Sequence, residues 1–210
     1  MPNKDQNSND SGGRKKAGGV AAVILAAGES RRSGDANKLL FEAGGAPLVR
    51  RVTEAALASR AAEVIAVTGH EADLITKALA GLDLRVVHNP DYRDGLSTSL
   101  KAGISAVPEG RSGVLVLLAD MPRISAGIID LLIGRFEEGG ETDICAPVFD
   151  RRRGHPVLWP RRFFPQLLEV SGDAGGRDLL KRNAAGISAV EVDTADIHFD
   201  VDGPGDLWGD

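Results

Sequence analysis

Residues 25–34, LAAGESRRSG, contain the residue types that proteins use to bind phosphate. They follow a short apolar run, residues 20–24, that predicts a buried strand, so the loop would leave the carboxyl end of that strand. Gly28 and Gly34 allow a tight turn that brings backbone amides close to an anion. Two arginines in the loop, and Lys38 just after it, add positive charge suited to phosphate oxygens. The loop therefore predicts a phosphate site, with a solvated surface turn as the alternative.

This loop differs from the two common nucleotide-binding loops. The pattern G-x-x-x-x-G-K-[ST] is absent, because Gly28 and Gly34 are too far apart and Ser33-Gly34-Asp35 stands at its end. The pattern G-x-G-x-x-G is absent as well, which weighs against a dinucleotide-dependent oxidoreductase.

Carboxylates occur where a metal could join such a phosphate site. Asp120 follows residues 113–118, a continuous aliphatic run typical of a parallel strand covered on both faces. Mg²⁺ is commonly held by one or two carboxylates plus substrate phosphates. Asp200 and Asp202 would point to the same side of an extended segment, and one of them could complete the site. The alternative for Asp120 is a turn or a helix cap, although Ser125 is better placed to cap the next helix.

Three further segments carry polar residues that could contact a ligand. Residues 89–99 form a loop that leads into a helix, where hydroxyls and the helix N-terminus could bind a polar group or a base edge. Simple capping by Ser97 is the alternative there. His155 and residues 172–177 could contact an acceptor molecule, or could be ordinary turn chemistry.

Bulk composition limits the classes of function. The chain has 210 residues, a net charge of −5, 4% aromatic residues and no basic stripe, which argues against nucleic-acid binding. Its single cysteine, Cys145, fits a reducing, cytoplasmic location and is interpreted as a buried, inert thiol. Residues 1–18 are almost devoid of apolar side chains and are predicted to be disordered. No apolar run is long enough to span a membrane. The length of the chain suits a single domain, which we expect over residues 19–210.

Hydrophobic patterning predicts alternating strands and helices. Strands are predicted at 20–26, 64–67, 84–87, 113–118, 143–149, 155–159 and 187–192, and helices at 48–59, 71–80, 96–106, 125–137, 161–169 and 175–183. Small hairpins are expected around Gly44-Gly45 and, for the pair 143–149 and 155–159, around residues 150–153. This order predicts a single α/β domain with an open, mostly parallel sheet and one late antiparallel excursion.

Taken in order, these segments resemble nucleotidyltransferases with a glycosyltransferase-A-like fold, and more narrowly the molybdenum cofactor cytidylyltransferases. The matching motifs are LAAGESRRSG (25–34), NKLL (37–40), NPDYRDGLSTSL (89–100), LADMP (118–122), RGHPVL (153–158), GDAGGRDLL (172–180) and DVDGPGDL (200–207). The chain departs from the family pattern at Ser33, where methionine is common, and at Gly203 and Gly205, which replace threonine and glutamate.

The resemblance implies a three-layer nucleotide-diphospho-sugar transferase fold and transfer of CMP from CTP to molybdopterin, with release of pyrophosphate. It implies Mg²⁺, or Mn²⁺, bound by Asp120 and Asp202, with Arg31, Lys38 and Asp120 as the catalytic residues. It implies an acceptor site containing His155, Asp173 and Arg177. The nucleotide-binding residues it implies are Leu25, Ala26, Ala27, Gly28, Ser30, Arg31, Lys38, Thr68, Gly69, Gly95 and Ser99.

Other functions remain compatible with the sequence. Guanylyl transfer to molybdopterin, or nucleotidyl transfer to another phosphorylated small molecule, would need the same groups. A sugar transferase is less favoured, because such enzymes place a D-x-D motif mid-chain whereas Asp200-Val201-Asp202 lies near the end. A non-catalytic nucleotide-binding module is a third class. We expect a nucleoside triphosphate and molybdopterin as partners, with a molybdoenzyme or its chaperone as a further candidate.

Overall fold

The computed structural model describes residues 18–29, 36–203 and 205–206. Within them, the strands are β1 (Val20–Ala26), β2 (Glu42–Ala43), β3 (Ala46–Pro47), β4 (Glu63–Thr68), β5 (Arg85–His88), β6 (Gly113–Leu118), β7 (Ile144–Phe149), β8 (Arg152–Arg153), β9 (Val157–Pro160) and β10 (Ile187–Glu191). The α-helices are α1 (Leu48–Leu57), α2 (Ala72–Ala78), α3 (Leu96–Ala106), α4 (Ala126–Glu138), α5 (Phe164–Glu169) and α6 (Arg177–Arg182). No helix in this part of the chain is long and apolar enough to cross a membrane.

The main sheet has the strand order β10-β7-β9-β6-β1-β4-β5, with β8 paired to β7. Strands β6, β1, β4 and β5 are parallel to one another, and β10 is parallel to β7. Strand β9 runs antiparallel to both β6 and β7. This is the predicted α/β class with a mostly parallel sheet and one antiparallel excursion.

Helices cover both faces of the sheet because its central strands are buried on both sides. In β1, Ala22 and Ile24 pack on the face covered by α1, α2 and α4, whereas Ala21 and Val23 pack on the face covered by α3, α5 and α6. All seven β1 residues are buried, as expected for a strand without an exposed face. The domain therefore has the three layers expected from the sequence, and the carboxyl ends of β1 and β6 lie side by side, with Leu25 opposite Leu118.

One predicted strand pairing is wrong in detail. The hairpin after β7 is made with β8, through the pairs Val148–Arg153 and Phe149–Arg152, and not with residues 155–159. Strand β9 instead forms its main ladder with β6, and in its ladder with β7 one residue pair, Cys145 with Leu158, is in register. Its apolar side chains are buried whichever strands lie beside it, so the hydrophobic pattern could not indicate its neighbours.

Two other local predictions are confirmed. The Gly44-Gly45 turn joins β2 and β3 as an antiparallel hairpin. Asp150 and Arg151 both have positive φ at the tip of the β7–β8 hairpin, the geometry that favours a tight two-residue turn. Of the predicted disordered segment 1–18, only Gly18 is among the described residues, and its amide donates to the Gly110 carbonyl at 2.8 Å.

Candidate functional site

A lysine and two aspartates meet at the carboxyl edge of the sheet. The Lys38 ammonium lies 2.8 Å from an Asp120 carboxylate oxygen and 3.5 Å from an Asp202 carboxylate oxygen. The side chains of Lys38, Asp120 and Asp202 are 14%, 22% and 48% exposed, so the group is sheltered on one side and open to ligand on the other. Residues far apart in the sequence therefore converge as the motifs predicted.

Local structure fixes Lys38 and Asp120. Lys38 begins a single 3₁₀ turn, Lys38–Leu40, and the Asn37 side chain caps this turn by accepting from the Leu39 amide at 3.1 Å. Asp120 follows β6 directly, while Ser125 caps α4 by accepting from the Ile128 amide. Capping therefore does not explain Asp120, whose carboxylate lies at the rim and pairs with Lys38.

Asp202 reaches the rim because the chain returns to the loop that carries Asp120. The Val201 amide donates to the Asp120 carbonyl at 2.9 Å, and the Val201 side chain is fully buried. Beyond it, the Asp206 carboxylate accepts from the amides of Asp202 and Gly203 at 2.8 and 2.9 Å. These backbone contacts hold the second aspartate beside the first.

A cavity of about 480 Å³ opens next to this group. Of the residues predicted to bind nucleotide, it is lined by Leu25, Ala27, Gly28, Lys38, Gly95 and Ser99, together with Asp120. The side-chain Nδ2 of Asn89 donates to the hydroxyls of Thr98 and Ser99 at 2.9 and 3.0 Å, which fixes the start of α3 in the wall of this cavity. The cavity thus joins the carboxyl end of β1 to the loop 89–95.

Other predicted nucleotide residues lie behind the cavity or outside the described chain. Ala26 and Thr68 are buried in the sheet at 1% exposure, and the Thr68 hydroxyl donates to the Val87 carbonyl at 3.5 Å. Gly69 supports the wall, because a Cβ there would lie 2.6 Å from the Tyr92 Cβ and 2.8 Å from the Ala27 Cβ. Thr68 and Gly69 are therefore not among the residues that line this cavity. Ser30 and Arg31 lie outside the described residues.

The cavity also contains residues that sequence reasoning did not single out. Glu29 and Arg93 form an ion pair at 3.3 Å between the loop after β1 and the loop before α3. Arg93 also lies over the Tyr92 ring, 5.4 Å from its centroid. The mixed charge of the 89–99 segment was visible in the sequence, but its pairing with Glu29 depends on the fold.

A second cavity, of about 740 Å³, adjoins the first. It contains the predicted acceptor residues His155, Asp173 and Arg177, over an apolar floor that includes Val157 and Trp159. Further basic side chains and one more aspartate line it: Arg152, Arg153, Lys181, His198 and Asp200. An apolar floor with a positively charged rim suits a flat, anionic small molecule.

His155 is held at the edge of this second cavity. Its backbone amide donates to the Ile197 carbonyl at 3.0 Å, and its Nδ1 is buried without a hydrogen-bond partner among the described residues. Burial lowers the pKa of His155 below 6.5, while the carboxylates of Asp120 and Asp200 oppose this shift and Arg177 reinforces it. The imidazole is therefore neutral near pH 7, with one ring nitrogen that can donate a hydrogen bond and one that can accept.

Asp173 lies between the two cavities and lines both. Its carboxylate accepts from the Leu96 amide at 3.2 Å, and therefore occupies the N-terminus of α3. Ser97, considered as a cap for this helix, is buried and forms no such bond; the helix begins after Gly95 without a cap from a neighbouring side chain. Gly95 permits this contact, because a Cβ there would lie 2.7 Å from an Asp173 carboxylate oxygen.

The group of Lys38, Asp120 and Asp202 fits a site for a divalent cation shared with phosphates. The two carboxylates already share one positive charge, the Lys38 ammonium, which shows that both can face a single cation. Among the described residues no cluster of three or more histidine, cysteine or acidic side chains could hold a metal alone. Oxygen ligands from a bound triphosphate would complete such a site.

Relatives of the chain include proteins of different named activities. It is 31% identical over 190 residues to nicotine blue oxidoreductase of Paenarthrobacter nicotinovorans, a match covering 87% of this chain and 92% of that protein. It is 27% identical over 189 residues to the molybdenum cofactor cytidylyltransferase of Escherichia coli K12, covering 90% and 93% respectively.

Solved structures share the fold. The Rv0371c homologue from Mycobacterium sp. strain JC1 superposes with a TM-score of 0.79 at 31% identity, covering 89% of this chain and 92% of that one. Mycobacterium tuberculosis Rv0371c, solved in complex with manganese, superposes with a TM-score of 0.69 at 22% identity, covering 86% and 91%.

The MobA-like NTP transferase domain matches residues 22–187, a range that includes the loop after β1, Lys38, Asp120 and the predicted acceptor residues. With the sheet, the rim and both cavities arranged as described, the chain belongs to the MobA-like NTP transferase family.

Proposed function

We propose that this protein is a Mg²⁺-dependent nucleotidyltransferase that transfers CMP from CTP to molybdopterin and releases pyrophosphate. The observation that carries the proposal is the meeting of Lys38, Asp120 and Asp202 beside a nucleotide-sized cavity, which adjoins a larger, basic-rimmed cavity. The cytidylyltransferase relative supports the choice of base and acceptor. The single cysteine, buried and reduced, supports a cytoplasmic enzyme.

The roles follow from charge and position. Asp120 and Asp202 would hold a divalent cation, which would neutralise part of the charge of the triphosphate. Lys38 donates to phosphate oxygens and stabilises charge that develops as pyrophosphate leaves. The attacking group is the terminal phosphate of molybdopterin, which is already anionic and needs no general base. The catalytic task is therefore to position two anions and to offset their repulsion.

The second cavity supports an acceptor of this kind. Arg152, Arg153 and Arg177 offer cationic groups to a phosphate, while the apolar floor offers a surface to a flat ring system. Neutral His155 can hydrogen-bond a heterocycle without adding charge. We assign Asp173 to the boundary between nucleotide and acceptor, since it lines both cavities.

The test is incubation of the full chain with Mg²⁺, molybdenum-loaded molybdopterin and CTP, GTP or ATP in turn, with the nucleotide product identified by mass. We expect a CMP-linked product and pyrophosphate with CTP. Asp120→Ala should abolish turnover while the circular dichroism spectrum is retained, whereas Asp83→Ala, at the opposite end of the sheet, should be active. Absence of pyrophosphate with every nucleotide, or an active Asp120→Ala enzyme, would refute the assignment.

Guanylyl transfer, or transfer to another phosphorylated acceptor, keeps the same site and is distinguished by the same screen. A second candidate is a redox reaction on a molecule related to nicotine blue, favoured by the relative of that name. Consumption of a nicotinamide cofactor in the presence of such a dye, without any pyrophosphate release from triphosphates, would favour this candidate.

A further inference from the structure

We propose that Arg123 is a positioning residue that sets the spacing of Asp120 and Asp202; the proposal rests on the proposed metal-dependent transfer. Arg123 lies three residues after Asp120, in the turn that the Ile124 amide closes by donating to the Met121 carbonyl at 3.2 Å. Its guanidinium carbon stacks 3.8 Å from the centroid of the Phe199 ring, and its side chain pairs with Asp196 at 4.0 Å. One side chain therefore connects the loop of the first aspartate to the segment that carries the second.

The segment Ala195–Asp202 depends on such contacts for its place at the rim. After the short 3₁₀ helix Ala195–His198, it has no partner strand in the described sheet. It is held by backbone bonds from His155 to Ile197 and from Val201 to Asp120, and by the buried side chains of Ile197 and Val201. Phe199 lies between these two anchors, so the Arg123 stack fixes the stretch that leads to Asp202.

The stack is suited to this task because it is strong and directional. A guanidinium over an aromatic face is attracted by the negative face of the ring, and the attraction strengthens as the pair is removed from water. The side chain of Arg123 is 41% exposed and that of Asp196 is 33% exposed, so the ion pair alone contributes little. Of these two contacts, the stack on Phe199 is therefore the stronger constraint that Arg123 places on the segment.

The sign of the effect on cation binding separates positioning from simple electrostatics. Removal of a positive charge near two carboxylates would strengthen the binding of a divalent cation. Loss of a residue that orients the ligands would weaken it, by about 10- to 100-fold on the scale known for groups that orient metal ligands. A weaker cation affinity in Arg123→Ala can therefore be explained only through geometry.

The first experiment measures Mn²⁺ binding to the nucleotide-free protein by electron paramagnetic resonance, for wild type, Arg123→Ala, Arg123→Lys and Phe199→Leu. We expect about tenfold or greater weakening in Arg123→Ala and Phe199→Leu, and partial recovery in Arg123→Lys. The matched control is Arg162→Ala, which removes an arginine stacked on Phe163 at 5.0 Å, beyond the Pro160 end of β9 and hence at the opposite edge of the sheet. Its affinity should equal that of wild type.

The second experiment measures hydrogen exchange of the Val201 amide, which donates to the Asp120 carbonyl. It should exchange faster in Arg123→Ala than in wild type or Arg162→Ala. In kinetic assays, the Mg²⁺ concentration for half-maximal rate should rise while the KM for nucleotide at saturating Mg²⁺ stays within about twofold.

Unchanged or tighter Mn²⁺ binding in Arg123→Ala would overturn the proposal, as would equal effects of Arg123→Ala and Arg162→Ala. If Arg123→Ala does not fold, Phe199→Leu and Arg123→Lys decide by the same criteria. Should the wild type transfer no nucleotide at all, the proposed function fails, and the binding and exchange measurements on the apo protein still decide the role of Arg123.

Discussion

Replacement of Lys38 by methionine should affect cation binding and catalysis in opposite directions. The ammonium lies 2.8 Å from Asp120 and 3.5 Å from Asp202, so a divalent cation must compete with it for the same carboxylate oxygens. Methionine keeps the length of the side chain and removes the charge. In the variant, the Lys38 ammonium would no longer compete with a divalent cation for these two carboxylates.

The magnitude follows from the geometry and the exposure. One pair of opposite unit charges at about 4 Å interacts by about 1 kcal/mol in water and by about 4 kcal/mol near a protein surface. Because Asp120 is 22% exposed and Asp202 is 48% exposed, solvent screens both ion pairs. We therefore expect the attraction of Lys38 for the two carboxylates to oppose cation binding by about 1.4–2.7 kcal/mol. Because 1.4 kcal/mol corresponds to a factor of ten, Mn²⁺ should bind about 10- to 100-fold more tightly to Lys38→Met without nucleotide. Transfer from CTP should nevertheless fall about 100-fold or more, the scale of losing one donor to the transition state.

Mn²⁺ titration followed by electron paramagnetic resonance measures the first quantity, and pyrophosphate release measures the second. The control is Lys77→Met, which removes an exposed lysine from α2. Weaker Mn²⁺ binding in Lys38→Met would refute the shared-cation geometry, and an undiminished rate would refute the role of Lys38 at the triphosphate.

Three further predictions concern the walls of the site and the core. Gly95→Ala should lower the free energy of unfolding by about 1–3 kcal/mol, because φ is +107° and the added Cβ would meet Asp173. In the control Gly110→Ala, φ is +88° and the added Cβ would meet open space, so only the backbone strain should lower the free energy of unfolding. Urea unfolding measures both variants. Burial lowers the pKa of His155, so the unfolded chain binds a proton more readily than the folded chain. The thermal unfolding midpoint should therefore fall as the pH drops below about 6.5. In His155→Gln the midpoint should fall less. Burial raises the pKa of the Cys145 thiol to about 11, so iodoacetamide at pH 8 should label it only after denaturation, as mass spectrometry can show.

Strong local signals made much of the fold predictable from the sequence. The aliphatic run of β6 was predicted with its observed bounds, because a strand buried on both faces needs apolar residues at every position. The position of β9 was not predictable, since its insertion between β7 and β6 is decided by the packing of whole layers. A pattern of period two fixes which residues face the core, but not which strand lies alongside.

The site divides in the same way. Asp120 was predictable because a strand end places it at the rim, and Lys38 and Asp202 followed from their order in the motifs. The contact of Asp173 with the start of α3, and the stack of Arg123 on Phe199, join residues about 75 positions apart. No local pattern specifies such contacts, and they emerge only when the segments are brought together by the sheet.

The two cavities share part of their walls, since Leu25, Leu96, Leu118 and Asp173 line both. A single synthetic compound that joins a nucleotide mimic to a flat anionic ring could thus occupy both cavities at once. Tethering makes the second contact intramolecular, and its avidity can exceed that of either fragment by about 10²- to 10⁴-fold when the linker matches the span. Where Leu25, Leu96 and Leu118 line both cavities, the linker of such a two-part compound must be thin and apolar.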